Sequence, residues 1–137
     1  MISVRKQEVV KLEDVLHLYQ AVGWTNYTHQ PQMLEQALSH SLAIYMALDG
    51  DAVVGLVRLV GDGFSSVFVQ DLIVLPSYQR QGIGSNLMKE ALGDFKDAYQ
   101  AQLVTEQTEK TLGFYRSLGF ETLSTYDCTG MIWVDRK

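Results

Sequence analysis

Apolar residues in the first part of the chain recur with a period of about two and then with a period of about 3.6. Ile2 and Val4 predict a first β-strand. Apolar residues at helical spacing follow and stop at Gly23, which predicts a short amphipathic helix. The apolar face of this helix comprises Leu12, Val15, Leu16, Tyr19 and Val22. A second short helix is predicted over residues 32–41, after an aromatic and polar segment formed by residues 24–31.

The middle of the chain carries β-prone runs that are separated by glycine turns. Residues 43–48 and 52–60 flank Asp49-Gly50-Asp51, whose Asp-Gly step accepts the positive φ of a tight hairpin. We therefore expect these two runs to pair as antiparallel strands. Residues 67–75 form a longer apolar run with two polar residues in its middle, and they predict the central strand.

After the central strand the apolar period changes back to that of a helix. One continuous apolar stripe predicts a long helix. The stripe comprises Ile83, Leu87, Met88, Ala91, Leu92 and Phe95. Residues 102–105 then predict a short strand, and residues 109–118 predict a helix with Gly119 in the C′ position. Residues 120–126 and 131–134 are predicted to close the chain as a hairpin.

The predicted elements follow the order β-α-α-β-β-β-α-β-α-β-β. This order predicts an α/β (α+β) protein with a mixed sheet of about six to seven strands and about four helices on its faces. Neither a linker nor a repeat interrupts the 137 residues, so we expect one domain over residues 1–137. A formal net charge of -5 disfavours nucleic-acid binding, and no apolar run is long enough to span a membrane. The single cysteine, Cys128, excludes an internal disulfide and favours a cytoplasmic location.

A turn with two glycines joins the central strand to the long helix in the run Gln79-Arg80-Gln81-Gly82-Ile83-Gly84-Ser85. The first N–H groups of a helix lack internal acceptors, and its N-terminus carries about half a positive charge, so such a turn can bind a diphosphate. A Cβ at Gly82 or Gly84 would keep phosphate oxygens away from these amides, and Arg80 adds a positive charge. The third glycine of the dinucleotide fingerprint is absent, because Leu87 stands in its place.

The spacing Gln79-x-x-Gly82-x-Gly84 resembles the Gln/Arg-x-x-Gly-x-Gly/Ala motif of the GCN5-related N-acetyltransferase (GNAT) family. The preceding Val-x-Pro is similar to the end of the fourth strand in that family. A second stretch, Phe114-Tyr115-Arg116-Ser117-Leu118-Gly119-Phe120, resembles the family sequence Phe/Leu-Tyr-x-x-Leu-Gly-Phe. Residues 77–84 are also similar to plant-type arylamine (serotonin-like) acetyltransferases. The resemblance covers essentially the whole chain and implies a GNAT-like fold.

The resemblance implies acetyl-CoA (CoA) as the cosubstrate, without a metal, and indicates where it would bind. The pantetheine arm is expected along Leu72, Ile73 and Val74, because the fourth strand of the family separates from the fifth at a bulge there. One N–H group of this stretch would polarise the acetyl carbonyl. Thr108 stands where the family often has asparagine, and its hydroxyl is expected to reach the pantetheine arm.

Tyr115 and Asp71 are the catalytic candidates. The phenol of Tyr115, with a pKa of about 10, would protonate the departing thiolate. Asp71 interrupts the central strand, where burial would raise the pKa of its carboxyl group and suit it as a base. Without a bulge, Asp71 shares a face of the strand with Val69 and Ile73. The alternatives are that Tyr115 packs against neighbouring aromatic rings and that Asp71 caps an element or pairs with Arg58.

The family uses the segment of residues 24–31 as a wall of the acceptor pocket, which makes Trp24, Tyr27 and His29 candidate substrate-binding residues. We expect an N-acyltransferase that moves an acetyl group from acetyl-CoA to a primary amine by direct attack in a ternary complex. A small-molecule amine is the expected acceptor, and neither a nucleic acid nor a membrane is an expected partner. The alternatives are a protein lysine or N-terminal amine acceptor, and a non-catalytic acyl-CoA-binding sensor or partner module. A homodimer with residues 131–134 as the interface strand is a further expectation.

Overall fold

The computed structural model of the protein describes residues 1–135 and contains two compact units, residues 1–104 and residues 105–137. The strands of the first unit are β1 (Ile2–Gln7), β2 (Ala43–Asp49), β3 (Ala52–Gly61), β4 (Val67–Val74) and β5 (Ala101–Leu103). They form one sheet in the order β1-β2-β3-β4-β5, in which only the β4–β5 pair is parallel. The predicted mixed α/β fold is confirmed, while a single domain over the whole chain stays a prediction.

Helices cover both faces of this sheet. The helices of the first unit are α1 (Leu12–Ala21), α2 (Thr25–Thr28), α3 (Pro31–Ser39) and α4 (Ile83–Asp94). Leu56 of β3 belongs to a buried cluster with residues of α1, α2 and α3. A Cβ on the adjacent Gly55 would lie 3.2 Å from Leu87 of α4. Since neighbouring residues of a strand point to opposite faces, α1–α3 cover one face and α4 covers the other.

The register of β4 against β3 shifts at Gln70. Arg58 pairs with Asp71, whereas the next residue, Leu59, pairs with Val69, so Gln70 is an extra residue in β4. Arg58 and Leu59 point to opposite faces, and directly opposed residues share a face. Asp71 therefore lies on the α1–α3 face and Val69 on the α4 face. The expectation that Asp71 and Val69 share a face is wrong, because it held only for a strand without a bulge.

The second unit contains α5 (Glu109–Ser117) and a 3-10 turn (Leu123–Tyr126). The predicted closing hairpin is wrong, since neither residues 120–126 nor residues 131–134 form a strand. Local bonds from Thr125 N–H to Thr122 and from Asp127 N–H to Ser124 close turns instead of a ladder. A strand needs a paired neighbour to be stable. The sheet of the described residues thus has five strands rather than six to seven.

Residues 1–135 contain neither a candidate membrane span nor a candidate metal cluster. None of their helices is long and apolar enough to cross a bilayer. No group of three or more His, Cys, Asp and Glu side chains in the same residues is arranged to hold a metal ion.

Candidate functional site

One edge of β4 opens part of the way along the strand. In the described part of the chain, β5 pairs with the first three residues of β4 and with none of its later residues. The N–H of Leu75 donates to the carbonyl of Val54 on β3 at 2.9 Å. Since backbone groups point alternately to the two sides of a strand, Val74 and Leu72 direct their N–H groups away from β3. These two N–H groups line the open edge.

The side chains along the open edge belong to different environments. Ile73 is 1% exposed and is part of the core on the α1–α3 face. Leu72 and Val74 are half-buried. Of the three residues predicted to lie along pantetheine, Leu72 and Val74 direct N–H groups to the open edge and have half-buried side chains, whereas the side chain of Ile73 packs in the core.

The turn between β4 and α4 leaves the start of the helix uncapped. Gly82 is the N-cap residue, with φ of 79°, and Arg80 also has a positive φ of 66°. No side chain among the described residues caps the helix, and the Gly82 carbonyl accepts its first internal bond at 3.0 Å. The N–H groups of Ile83, Gly84 and Ser85 therefore lack acceptors within the helix. The left-handed backbone adds a reason for glycine at position 82 that the sequence pattern did not reveal.

Two side chains fix this turn to the sheet. Nε2 of Gln79 donates to the carbonyl of Val74 at 3.1 Å. The hydroxyl of Tyr78 donates to Oδ2 of Asp49 at 2.5 Å, and this bond raises the pKa of Tyr78. The Arg80-Gln81 pair is exposed to solvent. The first residue of the glycine motif, Gln79, thus ties the turn to the end of β4, a role that its position in the motif does not indicate.

Asp71 lies at the centre of a buried polar network. The Asp71 side chain is 2% exposed, and its Oδ2 accepts bonds from Nε of Arg58 at 2.7 Å and from Tyr19 at 2.8 Å. Its Oδ1 accepts a bond from the hydroxyl of Tyr27 at 2.9 Å. Arg58, 4% exposed, also donates to the Tyr27 oxygen at 3.1 Å and to Ser41 at 3.3 Å. The pair with Arg58 is one of the alternatives left open by the sequence.

The electrostatics of the network keep the Arg58 guanidinium and the two phenols protonated. Burial by itself lowers the pKa of Arg58, but the Asp71 carboxylate raises it above its usual value. Burial and then the Asp71 charge raise the pKa values of Tyr19 and Tyr27, so both phenols stay protonated as donors. A general base must reach the proton that it removes. Both oxygens of Asp71 are engaged inside the core, which favours a structural role for this residue.

Replacing Arg58 by methionine is expected to lower the free energy of unfolding by about 3–5 kcal/mol, because it leaves the Asp71 carboxylate buried without its counter-ion. Adding Asp71→Leu to Arg58→Met is expected to restore part of that loss, since neither charge then remains in the core. Urea denaturation at pH 7 measures both variants. A double variant that is less stable than Arg58→Met would contradict this assignment.

Residues 24–31, which were predicted to form one wall of the acceptor pocket, contain α2. Trp24 is half-buried, and its ring centroid lies 6.1 Å from that of Tyr19 and 6.3 Å from that of Tyr27. Tyr27 is 8% exposed, whereas His29 is exposed at the C-cap position of α2. The structure therefore brings Trp24 and Tyr27 together and leaves His29 outside their cluster. Helix α2 was not predicted, because its four residues are too few to show a period.

Thr108 begins the helix of the second unit. It is the N-cap residue of α5, and its Oγ1 accepts a bond from the N–H of Thr111 at 3.1 Å. The same hydroxyl donates to Oγ1 of Thr111 at 2.8 Å. Capping of this kind is a common role of threonine. The hydroxyl predicted to reach pantetheine is therefore engaged in the cap.

The second motif stretch forms the C-terminal cap of α5. The N–H of Phe120 donates to the carbonyl of Tyr115 at 3.1 Å, and that of Gly119 donates to Arg116 at 3.0 Å. Gly119 has a φ of 99°, which confirms its predicted C′ role. Together these bonds make a Schellman motif. Gly119 of this stretch thus has a structural explanation in the ending of the helix.

Tyr115 lies between two aromatic rings. Its ring centroid is 4.9 Å from that of Phe114 and 5.9 Å from that of Phe120, both in edge-on geometry. Burial raises the pKa of Tyr115 above its ordinary value of 10.0, although the side chain of Thr105 acts in the opposite direction. The phenol is therefore protonated at neutral pH and remains a proton donor into the alkaline range.

The comparisons with known proteins agree with this fold. Residues 40–122 match the model of the acetyltransferase (GNAT) domain. The chain belongs to the GNAT acetyltransferase family. The chloroplastic serotonin N-acetyltransferase 2 of Oryza sativa subsp. japonica is 30% identical over 95 residues, which cover 66% of this chain and 48% of the relative. The chain thus spans about half the length of that relative.

Solved structures show the same architecture. A GNAT-family acetyltransferase protein from Streptococcus pneumoniae TIGR4 is 81% identical, with a TM-score of 0.92 over 100% of both chains. A GNAT-family acetyltransferase from Elizabethkingia anophelis with acetyl-CoA bound is 20% identical, with a TM-score of 0.65 over 88% of this chain and 76% of that chain. At this lower identity the likeness is one of fold alone.

Proposed function

We propose that this protein transfers the acetyl group of acetyl-CoA to a primary amine, with a small molecule as the acceptor. One observation carries the proposal: the turn of residues 75–82 joins the open edge of β4 to the uncapped start of α4. The strand offers N–H groups suited to a thioester carbonyl and its pantetheine arm. The helix start offers N–H groups suited to the diphosphate of the same cosubstrate.

In this proposal the acetyl donor, acetyl-CoA, is bound mainly by main-chain N–H groups. The N–H groups of Gly82, Ile83, Gly84 and Ser85 bind the diphosphate, and the exposed guanidinium of Arg80 supplies further positive charge. The pantetheine arm follows the open edge of β4. The presence of acetyl-CoA in the Elizabethkingia anophelis structure supports a donor of this kind for the fold.

The chemistry then needs a neutral amine, a stabilised oxyanion and a protonated leaving group. The amine nitrogen attacks the acetyl carbon, and an N–H of Leu72 or Val74 donates to the developing oxyanion. The nitrogen, which becomes positively charged on attack, loses one proton to water, and the carbon–sulfur bond breaks as the amide forms. The phenol of Tyr115 gives its proton to the departing thiolate and is reprotonated from solvent.

Deprotonation of the amine is assigned to water rather than to Asp71. An alkylamine has a pKa near 10.4, so forming its neutral form at pH 7 costs about 4.6 kcal/mol. In this proposal the amine loses that proton to water, and the small neutral fraction is the form that attacks. Asp71 is occupied by Arg58, Tyr19 and Tyr27 inside the core. Its part in the reaction is therefore proposed to be structural.

A small acceptor is supported by three features of this chain and its relatives. The formal charge of -5 favours a cationic substrate over a polyanion. Trp24 and Tyr27 place aromatic rings in the segment expected to face the acceptor. The rice relative is named as a serotonin N-acetyltransferase, and serotonin is an arylalkylamine.

Incubation with acetyl-CoA and an amine panel tests the proposal. Serotonin, spermidine and a lysine-containing peptide would be compared by titrating the thiol of released CoA. Because Cys128 is an exposed free thiol that would itself react with the thiol reagent, the assay uses the Cys128→Ser variant. We expect thiol release that depends on serotonin or spermidine. Saturable CoA binding in calorimetry without release by any amine would instead favour the sensor, and the absence of saturation at millimolar CoA would reject the donor site.

A further inference from the structure

The hydroxyl of Tyr27 lies where the edge of β4 opens. It is 2.9 Å from Oδ1 of Asp71, 3.1 Å from a terminal nitrogen of Arg58 and 3.5 Å from Nε2 of Gln70. Gln70 is the extra residue of the bulge, and Gln70 and Asp71 are the first residues of β4 beyond its pairing with β5. Helix α2, which carries Tyr27, is therefore fastened to β4 at the bulge itself.

We propose that Tyr27 is a positioning residue for the transfer reaction, whose hydroxyl holds α2 beside the open edge of β4 and thereby fixes the approach of the amine. The inference rests on the proposed function, which places the acetyl carbonyl at the N–H groups of Leu72 and Val74. An attacking nitrogen must come within about 3–3.5 Å of the acetyl carbon. An element fastened at Gln70 and Asp71 borders that approach.

The Tyr27 hydroxyl makes the side-chain hydrogen bonds that join α2 to β4, in addition to the packing of the Tyr27 ring, whose centroid lies 5.0 Å from that of Tyr19. Helix α2 has four residues and no side-chain cap at its N-terminus. A helix of that length is not stable on its own. In the described residues, Oδ1 of Asp71 accepts its bond from Tyr27 alone, so loss of that hydroxyl also leaves a buried carboxylate oxygen without a donor.

Tyr19 provides a matched comparison within the same network. Its hydroxyl also bonds to Asp71, but to Oδ2, which keeps the Arg58 bond at 2.7 Å when Tyr19 is changed. Tyr19 belongs to α1, a helix of ten residues that buries Val15 and Leu18 as well. Tyr19→Phe and Tyr27→Phe thus each remove one buried hydrogen bond from a phenol to Asp71. Only in Tyr27→Phe is the lost bond one that joins α2 to β4.

Acrylamide quenching of Trp24 fluorescence measures the effect on α2 without an acceptor. Trp24 and Trp133 are the two tryptophans of the chain, so a Trp133→Phe background leaves Trp24 as the reporter. We expect Tyr27→Phe to raise the quenching constant about twofold, because the segment opens locally more often. Tyr19→Phe is expected to leave the quenching constant close to that of the Trp133→Phe protein.

Steady-state kinetics and calorimetry complete the test. With serotonin or spermidine, whichever the parent protein acetylates faster, Tyr27→Phe is expected to lower kcat/KM for the amine about tenfold. The dissociation constant for CoA is expected to stay unchanged, and Tyr19→Phe should lower kcat/KM by less than about twofold. Thermal melting of both variants records the stability that each hydroxyl contributes.

Equal quenching and equal kcat/KM in the two variants would overturn the proposal, because the bond would then serve stability alone. A weaker affinity for CoA in Tyr27→Phe would overturn it too, since the bond would then shape the donor site. A parent protein that binds CoA but releases no thiol counts against the proposed function. In that case the quenching of Trp24 still decides whether Tyr27 holds α2.

Discussion

Replacing Gly82 by aspartate is expected to weaken CoA binding at least about 100-fold, or about 2.8 kcal/mol. The substitution places a carboxylate at the helix start, where the diphosphate would lie, and its Cβ stands between phosphate oxygens and the free N–H groups. It also forces a side chain into a left-handed backbone with φ of 79°. Calorimetric titration with CoA measures the change.

Gly82→Ala separates the charge from the backbone strain. A Cβ at this position would meet nothing within 4 Å, so alanine adds strain of about 1–2 kcal/mol without a clash. Alanine carries the same Cβ as aspartate but no charge, so we expect it to lose about tenfold in affinity, which is less than the aspartate variant loses. If the Gly82→Asp protein bound CoA as tightly as the parent protein, the diphosphate would not bind at this turn, and the acyltransferase proposal would lose its main support.

Replacing Tyr115 by phenylalanine is expected to lower turnover about 100- to 10,000-fold, the range typical of a lost general acid. The change removes one hydroxyl and keeps the ring that packs against Phe114 and Phe120. The cap of α5 depends on backbone bonds and Gly119, so it should persist. The affinity for CoA is expected to change by less than about twofold. Thiol release under saturating amine gives turnover, and calorimetry gives the affinity.

Tyr126→Phe is the control for this substitution. Tyr126 belongs to the same unit and is 69% exposed, so loss of its hydroxyl should leave turnover unchanged. If Tyr115→Phe also turned over at the rate of the parent protein, the tyrosine would be a structural part of the helix cap. The acid would then be water or another group.

Local features of the fold could be predicted from the sequence. The strand, glycine turn and helix around Gly82 were predictable, because a change of apolar period and two glycines are adjacent in the chain. The C′ position of Gly119 was predictable because this glycine directly follows the predicted helix of residues 109–118. The candidate residues of the turn and of the second motif are likewise contiguous, so a short pattern was enough to find them.

Features that depend on partners far along the chain could not be predicted. The bulge at Gln70 arises from the pairing of β4 with β3, and it changes the face on which Asp71 lies. The bond between Tyr78 and Asp49 joins residues 29 positions apart. Residues 131–134 are β-prone, but a strand also requires a partner, and apolar pattern alone does not reveal whether one is available.

The atoms that would hold the donor belong mostly to the backbone, at the open edge of β4 and at the start of α4. In such a site, most of the surrounding side chains can be substituted without loss of acetyl-CoA binding, provided that the backbone conformation at Gly82 and at the bulge is kept. The acceptor side, in contrast, is proposed to involve side chains such as Trp24 and Tyr27, whose rings lie close together. Changes of substrate can therefore arise by mutation on one side of the reaction while the other stays fixed, which makes this architecture well suited to diversification.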